Sequence, residues 1–350
     1  MTGSTSGSAI NSSEPVAGAE LGLAGRRVLV TGADGFIGSH LVERLVADGA
    51  DVRAFCIYNS RGSWGWLDEA EPAVRAALDV RLGDIRDSRF VEAAAEGIDV
   101  IFHLAALIAI PYSYAAPASF IDTNVSGTLN VLEAARRAGV RRLIQTSTSE
   151  VYGTPDALPI REDHPLRAQS PYAASKVAAD QLGLAYARSF GLPVVVLRPF
   201  NTFGPRQSAR AVLPTILRQL LAGRTEVRLG RLDPRRDLTY VADTVDGFIR
   251  AAVVDGIDGQ TIQLGTGRSE SIGELFEIAC RLLGVEARPV VDAARLRPDA
   301  SEVLVLRSDP ARARELLGWE ATTSLEDGLA RTIDWLRAHP EHDEVDRVQI

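Results

Sequence analysis

The segment VLVTGADGFIG, residues 28–38, decides the fold. Its three glycines stand between a short apolar strand and a helix that we predict over residues 36–48. At this spacing the first glycine permits a tight turn, the second lets backbone N–H groups approach a pyrophosphate, and the third allows the helix to pack closely on the strand. The helix N-terminus attracts the anion. We therefore expect a dinucleotide to be held here by Gly32, Asp34, Gly35, Phe36, Ile37 and Gly38.

Short apolar strands alternate with amphipathic helices from residue 26 to about residue 198. Because each parallel crossover requires a covering helix, this rhythm predicts an α/β fold with a doubly wound parallel sheet. The predicted strands are 28–30, 51–57, 80–82, 99–103, 142–146 and 193–197, and the predicted helices are 36–48, 120–138 and 170–190.

The pattern changes after residue 198, where loops lengthen and short strands interrupt helices predicted at 213–222 and 271–283. This indicates a smaller, mixed α/β lobe that binds substrate. The polar ends of the chain are predicted to be flexible tails. The predicted divisions are a disordered tail over 1–24, a dinucleotide-binding domain over 25–200, a substrate lobe over 201–338 interleaved with that domain, and a polar tail over 339–350.

Composition argues against several classes of function. The formal net charge of −8 argues against a general nucleic-acid binder, which needs a basic face. The most apolar run, residues 100–111, is about half of the ~20 residues that a spanning helix needs, and the N-terminus has no signal-peptide pattern. Cys56 and Cys280 stand in apolar stretches as buried thiols. We expect a cytoplasmic protein with no metal, no nucleic-acid partner and no membrane partner.

The end of the second strand bears on the choice of cofactor. An acidic residue about 20 positions beyond the glycines selects NAD by bonding the ribose hydroxyls, and this strand end carries none. Asn59 or Ser60 can hydrogen-bond a ribose, whereas Arg61 can face a 2′-phosphate. The pattern favours NAD and leaves NADP open. After the third strand, Asp84 and Ile85 suit a contact with the adenine ring; the alternative is a capped strand end.

Tyr172 and Lys176 stand four residues apart at the start of a predicted helix, so both side chains lie on one face. A free tyrosine has a pKa of about 10. A nearby ammonium and the positive nicotinamide favour the phenolate, which predicts that Tyr172 acts as a base beside the cofactor.

The fifth strand leads into the run TSTSEVYG, residues 146–153. Strand ends at the carboxyl edge of such a sheet face the ligand. Thr148 can hydrogen-bond both a substrate oxygen and Tyr172. Glu150 points the same way as Thr148 if the strand continues, and can move a second proton. The alternative is a polar strand end with Glu150 in a salt bridge.

Together these motifs resemble the extended short-chain dehydrogenase/reductase family of NAD-dependent nucleotide-sugar epimerases and dehydratases. The resemblance implies a Rossmann fold, cofactor contacts at Leu104, Ala105 and Ala106, and a homodimer formed through helices 120–138 and 170–190. It spans roughly residues 26–338 and rests on TGxxGxxG, HLAA at 103–106, the 146–153 run, the YxxxK pair, RPFN at 198–201, GPR at 204–206, RDLTYV at 236–241 and LLGW at 316–319.

The substrate that the resemblance implies is a nucleotide-diphosphate sugar. Asn201, Arg236 and Arg297 fall at positions that typically hold the diphosphate or its ribose in this family. Nine arginines between residues 198 and 236, against two carboxylates, agree with an anionic ligand. The expected substrate contacts are Ser113, Asn201, Arg206, Arg236 and Arg297.

The set Thr148, Ser149 and Glu150 looks like that of GDP-mannose-type 4,6-dehydratases, and the runs at 64–66 and 110–114 are similar to dehydratases that lead to legionaminic-acid-like sugars. This implies oxidation at C4, loss of water across C5 and C6, and hydride return to C6. Thymidine-type dehydratases carry Asp at the Ser149 position, and UDP-glucuronate decarboxylases also carry Thr-Ser-Glu. A 4-epimerase, a decarboxylase and a non-catalytic dinucleotide-binding protein are the alternatives. The expected catalytic residues are Thr148, Ser149, Glu150, Tyr172 and Lys176.

Overall fold

The computed structural model describes residues 22–340, so most of both predicted tails lies outside the described residues. The strands are β1 (Arg27–Thr31), β2 (Asp51–Ile57), β3 (Asp79–Gly83), β4 (Val100–His103), β5 (Arg142–Thr146), β6 (Val194–Pro199), β7 (Asn201–Phe203), β8 (Glu226–Leu229), β9 (Arg235–Arg236), β10 (Leu238–Tyr240), β11 (Thr261–Leu264), β12 (Glu270–Ser271), β13 (Arg288–Val291) and β14 (Val305–Leu306).

Helices cover this sheet framework on two sides. They are α1 (Phe36–Ala47), α2 (Pro72–Ala76), α3 (Ser88–Ala95), α4 (Ile110–Ala115), α5 (Pro117–Phe120), α6 (Gly127–Ala138), α7 (Pro171–Phe190), α8 (Val212–Leu221), α9 (Val241–Val253), α10 (Ile272–Leu283), α11 (Ala311–Leu317) and α12 (Leu325–Ala338). None of the helices within residues 22–340 is both long and apolar enough to cross a membrane.

Seven strands form one parallel sheet in the order β11-β6-β5-β4-β1-β2-β3. One face packs on α1 and α9 through residues such as Leu41 and Phe248, and the other packs on α3, α6 and α7 through residues such as Val131 and Leu184. The predicted doubly wound α/β fold is confirmed. Because all strands run the same way, their carboxyl ends meet at one edge of the sheet, where ligands bind in such folds.

The helix predicted over residues 120–138 differs from the structure. It is divided into α5, a wider π-helical segment (Ile121–Ser126) and α6. The wide segment contains the buried Asn124, whose amide donates to the carbonyl oxygen of Leu107 at 2.9 Å and to Ser175 Oγ at 2.9 Å, and accepts from the N–H of Leu107 at 2.8 Å. A regular amphipathic period does not reveal such a local widening, which often occurs at functional sites.

The second half of the chain adds three small sheets, with orders β10-β7, β12-β9-β14 and β13-β8. Asp237, buried between β9 and β10, holds together the two loops that contain Thr266 and Ser308. Its carboxylate accepts hydrogen bonds from the backbone and hydroxyl groups of Thr266 and Ser308 at 2.6–3.0 Å. This anchor fixes the backbone beside Arg236 at the edge of the large sheet.

Candidate active site

The turn between β1 and α1 forms a cradle for a phosphate group. Gly32 has a φ of 69°, and a Cβ there would lie 2.8 Å from the backbone N of Ala105. A Cβ on Gly38 would overlap the carbonyl oxygen of Gly32. Gly35 is the N-cap of α1, and no side chain caps the first N–H groups of the helix. Those groups are available to an anion, and the cradle therefore fits the pyrophosphate that the sequence predicts.

Two buried polar side chains hold the opposite wall of the cradle. Thr31 Oγ1 lies 2.8 Å from His103 Nδ1 and accepts hydrogen bonds from the N–H groups of Leu104 and Ala105, each at 3.2 Å. Burial lowers the pKa of His103 to about 3, so its imidazole is neutral. The segment 104–106 is thereby fixed against the glycine turn, and its cofactor contacts stay a prediction.

In the loop after β2, the side-chain amide of Asn59 makes its hydrogen bonds within the loop. The amide of Asn59 donates to the carbonyl oxygens of Ile57 and Ser63 and accepts from the N–H groups of Arg61 and Ser63, at 2.8–3.2 Å. Because all four bonds lie inside the loop, Asn59 organises the loop, a role other than the predicted ribose contact. Ser60 and Arg61 are exposed.

Asp84 lies just beyond β3, where the sequence predicts an adenine contact. Its Oδ2 lies 2.5 Å from Nη2 of Arg86, and its Oδ1 accepts from the backbone N–H of the same residue at 2.9 Å. The hydrogen bond with Arg86 lowers the pKa of Asp84. This geometry matches the alternative of a capped strand end, and the adenine contact stays a prediction. Ile85 is buried, and a Cβ on Gly127 would lie 2.8 Å from its Cγ2.

The structure brings Thr148, Tyr172 and Lys176 together. α7 begins with the N-cap Ser170, whose hydroxyl accepts from the N–H of Ala173 at 3.1 Å, and this places Tyr172 and Lys176 in its first two turns. The side chain of Thr148 interacts with the phenol of Tyr172 and lowers its pKa, against the larger, raising effect of burial. Lys176 Nζ donates to the carbonyl oxygen of the last residue of β5 at 2.5 Å.

In the protein alone burial dominates the pKa of Tyr172, and the predicted joint effect of Lys176 and the nicotinamide stays a prediction. Burial raises the pKa of Tyr172, and the hydrogen bond with Thr148 offsets only part of this rise. The phenol ring packs edge-on against Phe120, in a small apolar cluster that keeps water away. Burial also lowers the pKa of Lys176 to about 8. Desolvation therefore outweighs the attraction between ammonium and phenolate, since Lys176 is bound to a backbone carbonyl instead.

A buried charged network lies beneath Lys176, and the sequence analysis missed it. Asp180 accepts hydrogen bonds from Ser147 Oγ at 2.8 Å and from Arg198 Nε at 3.0 Å. Arg198 also donates to the hydroxyl of Tyr152 at 3.1 Å. Asp180 raises the pKa of Lys176 against the larger, lowering effect of burial. The position of Asp180, one helical turn after Lys176, is the signal that could have identified this network.

Glu150 reaches the site by a different route from the one predicted. β5 ends at Thr146 and Ser149–Tyr152 forms a 3₁₀ turn, so strand alternation does not orient Glu150. Thr148 Oγ1 instead accepts the N–H of Glu150 at 3.2 Å. Burial raises the pKa of Tyr172 and lowers that of Arg236; the charge of Glu150 adds to the first effect and opposes the second. Within residues 22–340 Glu150 forms no ion pair. Ser149 is buried.

Arg236 and Arg297 converge on one carboxylate. Their guanidinium groups lie 3.0 Å and 3.8 Å from Glu302 Oε1. Burial lowers the pKa of Arg236. Two cations against one anion leave a positive charge beside Glu150. Asn201 has a buried Oδ1 that no described residue satisfies, and such an acceptor suits a ligand donor.

Arg206 and Ser113 each have partners within the protein. Arg206 Nη2 lies 2.7 Å from Glu43 Oε1, and its Nη1 donates to Ser39 Oγ at 3.2 Å. Both partners belong to α1, so Arg206 ties the 204–206 loop to that helix, and its substrate contact stays a prediction. The Ser113 hydroxyl donates to the carbonyl oxygen of Ile110 at 2.7 Å inside α4. Within residues 22–340 no cluster of His, Cys, Asp or Glu is arranged to hold a metal ion.

Comparison with known proteins identifies the family of this chain. A family model described as GDP-mannose 4,6 dehydratase matches residues 29–332. A UDP-glucose 4-epimerase of Mycolicibacterium smegmatis is 39% identical over 89% of this chain and 98% of its own length. A dTDP-glucose 4,6-dehydratase of Actinoplanes sp. is 32% identical over 89% of this chain and 98% of its own. DesIV, a dTDP-glucose 4,6-dehydratase of Streptomyces venezuelae solved with NAD bound, has a TM-score of 0.80 and 33% identity, over 91% of this chain and 99% of DesIV. This chain therefore belongs to the GDP-mannose 4,6-dehydratase family, within the NAD-dependent nucleotide-sugar epimerases and dehydratases.

Proposed function

We propose that this chain is an NAD-dependent 4,6-dehydratase of a nucleotide-diphosphate sugar. The observation that carries the proposal is Glu150, whose N–H donates to Thr148 Oγ1 and whose carboxylate acts electrostatically on Tyr172. Elimination of water requires a group that removes the proton at C5. A 4-epimerase acts at C4 and has no step that needs such a carboxylate.

The first proton transfer falls to Tyr172. It accepts the proton of the C4 hydroxyl, which Thr148 orients through its hydrogen bond to the same phenol. NAD, when bound, would take the hydride from C4 and return it to C6 after water has left, with a proton added at C5, and its positive charge opposes the effect of burial on the pKa of Tyr172. Lys176 donates to the cofactor ribose and adds a second positive charge.

The second proton transfer falls to Glu150. The C4 ketone acidifies the C5 proton, Glu150 removes it, and the C6 hydroxyl leaves. Ser149 stands where thymidine-type dehydratases have Asp, and a buried hydroxyl is a much weaker acid than a carboxylic acid. We therefore assign to Glu150 the return of that proton to the departing hydroxyl, which leaves as water. Since one sugar must present three carbons to fixed groups, positioning supplies much of the rate.

The diphosphate is assigned to Arg236 and Arg297. Their shared partner Glu302 holds both guanidinium groups at the edge of the large sheet, within electrostatic reach of Glu150. Charge-assisted hydrogen bonds from arginine suit phosphate oxygens. The unsatisfied Oδ1 of Asn201 is the proposed acceptor for a ribose or base donor.

A 4-epimerase is the second candidate, and the 39% identity to a UDP-glucose 4-epimerase favours it. It would use Thr148, Tyr172 and Lys176 in the same way, with Glu150 as a group that binds the sugar. The two functions differ in mass, because an epimerase leaves the substrate mass unchanged.

The test is mass spectrometry of the purified chain incubated with GDP-, UDP-, dTDP- and CDP-linked hexoses and UDP-glucuronate. Loss of one water from one hexose supports the proposal and identifies the nucleotide. Loss of carbon dioxide from the glucuronate would replace it with a decarboxylase. An unchanged mass with inverted C4 stereochemistry would replace it with the epimerase.

A further inference from the structure

A carboxylate from the glycine turn lies at the tip of β2. Asp34 Oδ2 accepts a hydrogen bond from the N–H of Ile57, the last residue of β2, at 3.3 Å. The sequence has no acidic residue at the carboxyl end of β2, where NAD-binding folds of this kind carry the acid that bonds the ribose. Asp34, 23 residues earlier in the chain, brings a carboxylate to that place by a different route.

The loop after β2 holds Asp34 in this position. The N–H of Trp66 donates to the carbonyl oxygen of Asp34 at 3.2 Å. Gly65 packs so closely that a Cβ on it would lie 2.5 Å from the same oxygen, and its φ of 59° also favours glycine. The amide of Asn59 and the carboxylate of Asp68 brace the loop from within. The aspartate is therefore preorganised and has little freedom to turn away.

The carboxylate also has unused capacity for hydrogen bonds. It is partly buried, and its donors are two backbone N–H groups, that of Ile57 and its own. Within residues 22–340 no arginine or lysine pairs with it. Burial raises its pKa, as expected for an acid without a cationic partner. A carboxylate accepts about four hydrogen bonds, so the vicinal diol of a ribose finds two acceptor positions here.

We propose that Asp34 binds the 2′- and 3′-hydroxyls of the adenosine ribose and thereby selects NAD over NADP. The inference rests on the proposed function, because it concerns the cofactor of the same site. A 2′-phosphate would place a negative charge against a carboxylate that no cation neutralises. Arg61 is exposed and Asn59 is committed to its loop, so neither provides a built site for that phosphate.

The experiment measures the dissociation constants of NAD and NADP by isothermal titration calorimetry, for the wild type, Asp34→Asn and Asp51→Asn. Asparagine keeps the shape and an oxygen that accepts from Ile57. Asp51→Asn is the matched control, since it removes the same charge from the opposite, exposed end of β2. The pH is set well above the raised pKa of Asp34, so that its carboxylate is ionised in the wild type.

We expect the wild type to prefer NAD and the Asp34→Asn variant to lose about 10- to 100-fold of that preference. Asp51→Asn should keep it. A second measurement needs no variant: the wild type should bind 2′-deoxy-NAD about 10-fold more weakly than NAD. NAD binding with an unchanged preference in Asp34→Asn would overturn this inference and leave the proposed function intact. A wild type that binds neither nucleotide would overturn both.

Discussion

The carboxylate of Asp180 lies one helical turn from Lys176 on the buried face of α7 and raises the pKa of its ammonium, opposite in sign to burial. Lys176 is the only lysine in the 350-residue sequence. The charge that the reaction needs beside the cofactor is therefore set by a balance between desolvation and one fixed anion. Arg198 and Ser147 hold that anion in place.

Lys176 should titrate well below a free lysine. Its pKa in the folded protein is about 8, against about 10.4 in an unfolded chain. Between these values the unfolded state binds more protons, so the stability that Lys176 contributes is complete above the unfolded pKa and is lost as the pH falls through about 8. The measurement is a pH titration by NMR with ¹³C-labelled lysine, in which a single side chain reports. A midpoint near that of the urea-unfolded control would contradict the buried position of the ammonium.

Replacing Asp180 by Asn should lower the pKa of Lys176 further, because the remaining effect is desolvation. It also leaves Arg198 as an unpaired buried charge, which costs about 3–5 kcal/mol of unfolding free energy. The same NMR titration and a denaturant melt measure the two effects. Ser147→Ala is the control, since it removes one hydrogen bond to Asp180 but keeps the carboxylate. A folded Asp180→Asn protein with an unchanged Lys176 midpoint would show that the anion does not act on the lysine.

Glu150→Gln should separate oxidation from elimination. The amide keeps the shape but cannot take the C5 proton, so dehydration should fall by about 10²- to 10⁴-fold. Oxidation at C4 uses Thr148 and Tyr172 and should persist, visible as the absorbance of reduced nicotinamide. Asp163→Asn, a change of the same kind in an exposed loop, should leave both steps unchanged. Normal water loss in the Glu150→Gln protein would remove Glu150 from the mechanism.

Arg206 and Arg236 should differ in what their loss changes. Arg206→Met breaks the partly buried pair with Glu43 and should lower the unfolding free energy by about 1–3 kcal/mol, with KM for the nucleotide sugar unchanged. Arg236→Met should raise that KM by about 10-fold or more, because a charge-assisted bond to phosphate is lost. Denaturation measures the unfolding free energy of both variants, and steady-state kinetics measures their KM. A raised KM in Arg206→Met without a loss of stability would show that Arg206 contacts the substrate.

The parts of the site that could be predicted depend on short spacings. The bounds of β2 and β5 agree with their predicted ranges, because each is a short segment with apolar residues between turn residues, a pattern typical of strands. The pairing of Tyr172 with Lys176 follows from helical geometry alone. The features that the sequence did not reveal depend on the tertiary structure. Glu150 lies in a 3₁₀ turn beyond the end of β5, and Arg206 pairs with Glu43, which is 163 positions away in the sequence.

The sequence by itself therefore determined the parallel α/β framework, the glycine cradle and the face of α7 that carries the tyrosine and the lysine, because backbone sterics and local periodicity act over a few residues. Only the tertiary structure decided the electrostatics. Burial raises the pKa of Tyr172, Asp180 counteracts burial at Lys176, and Asp34 arrives at the end of β2. Desolvation and charge interaction depend on which distant segments pack together, and local spacing does not encode that packing.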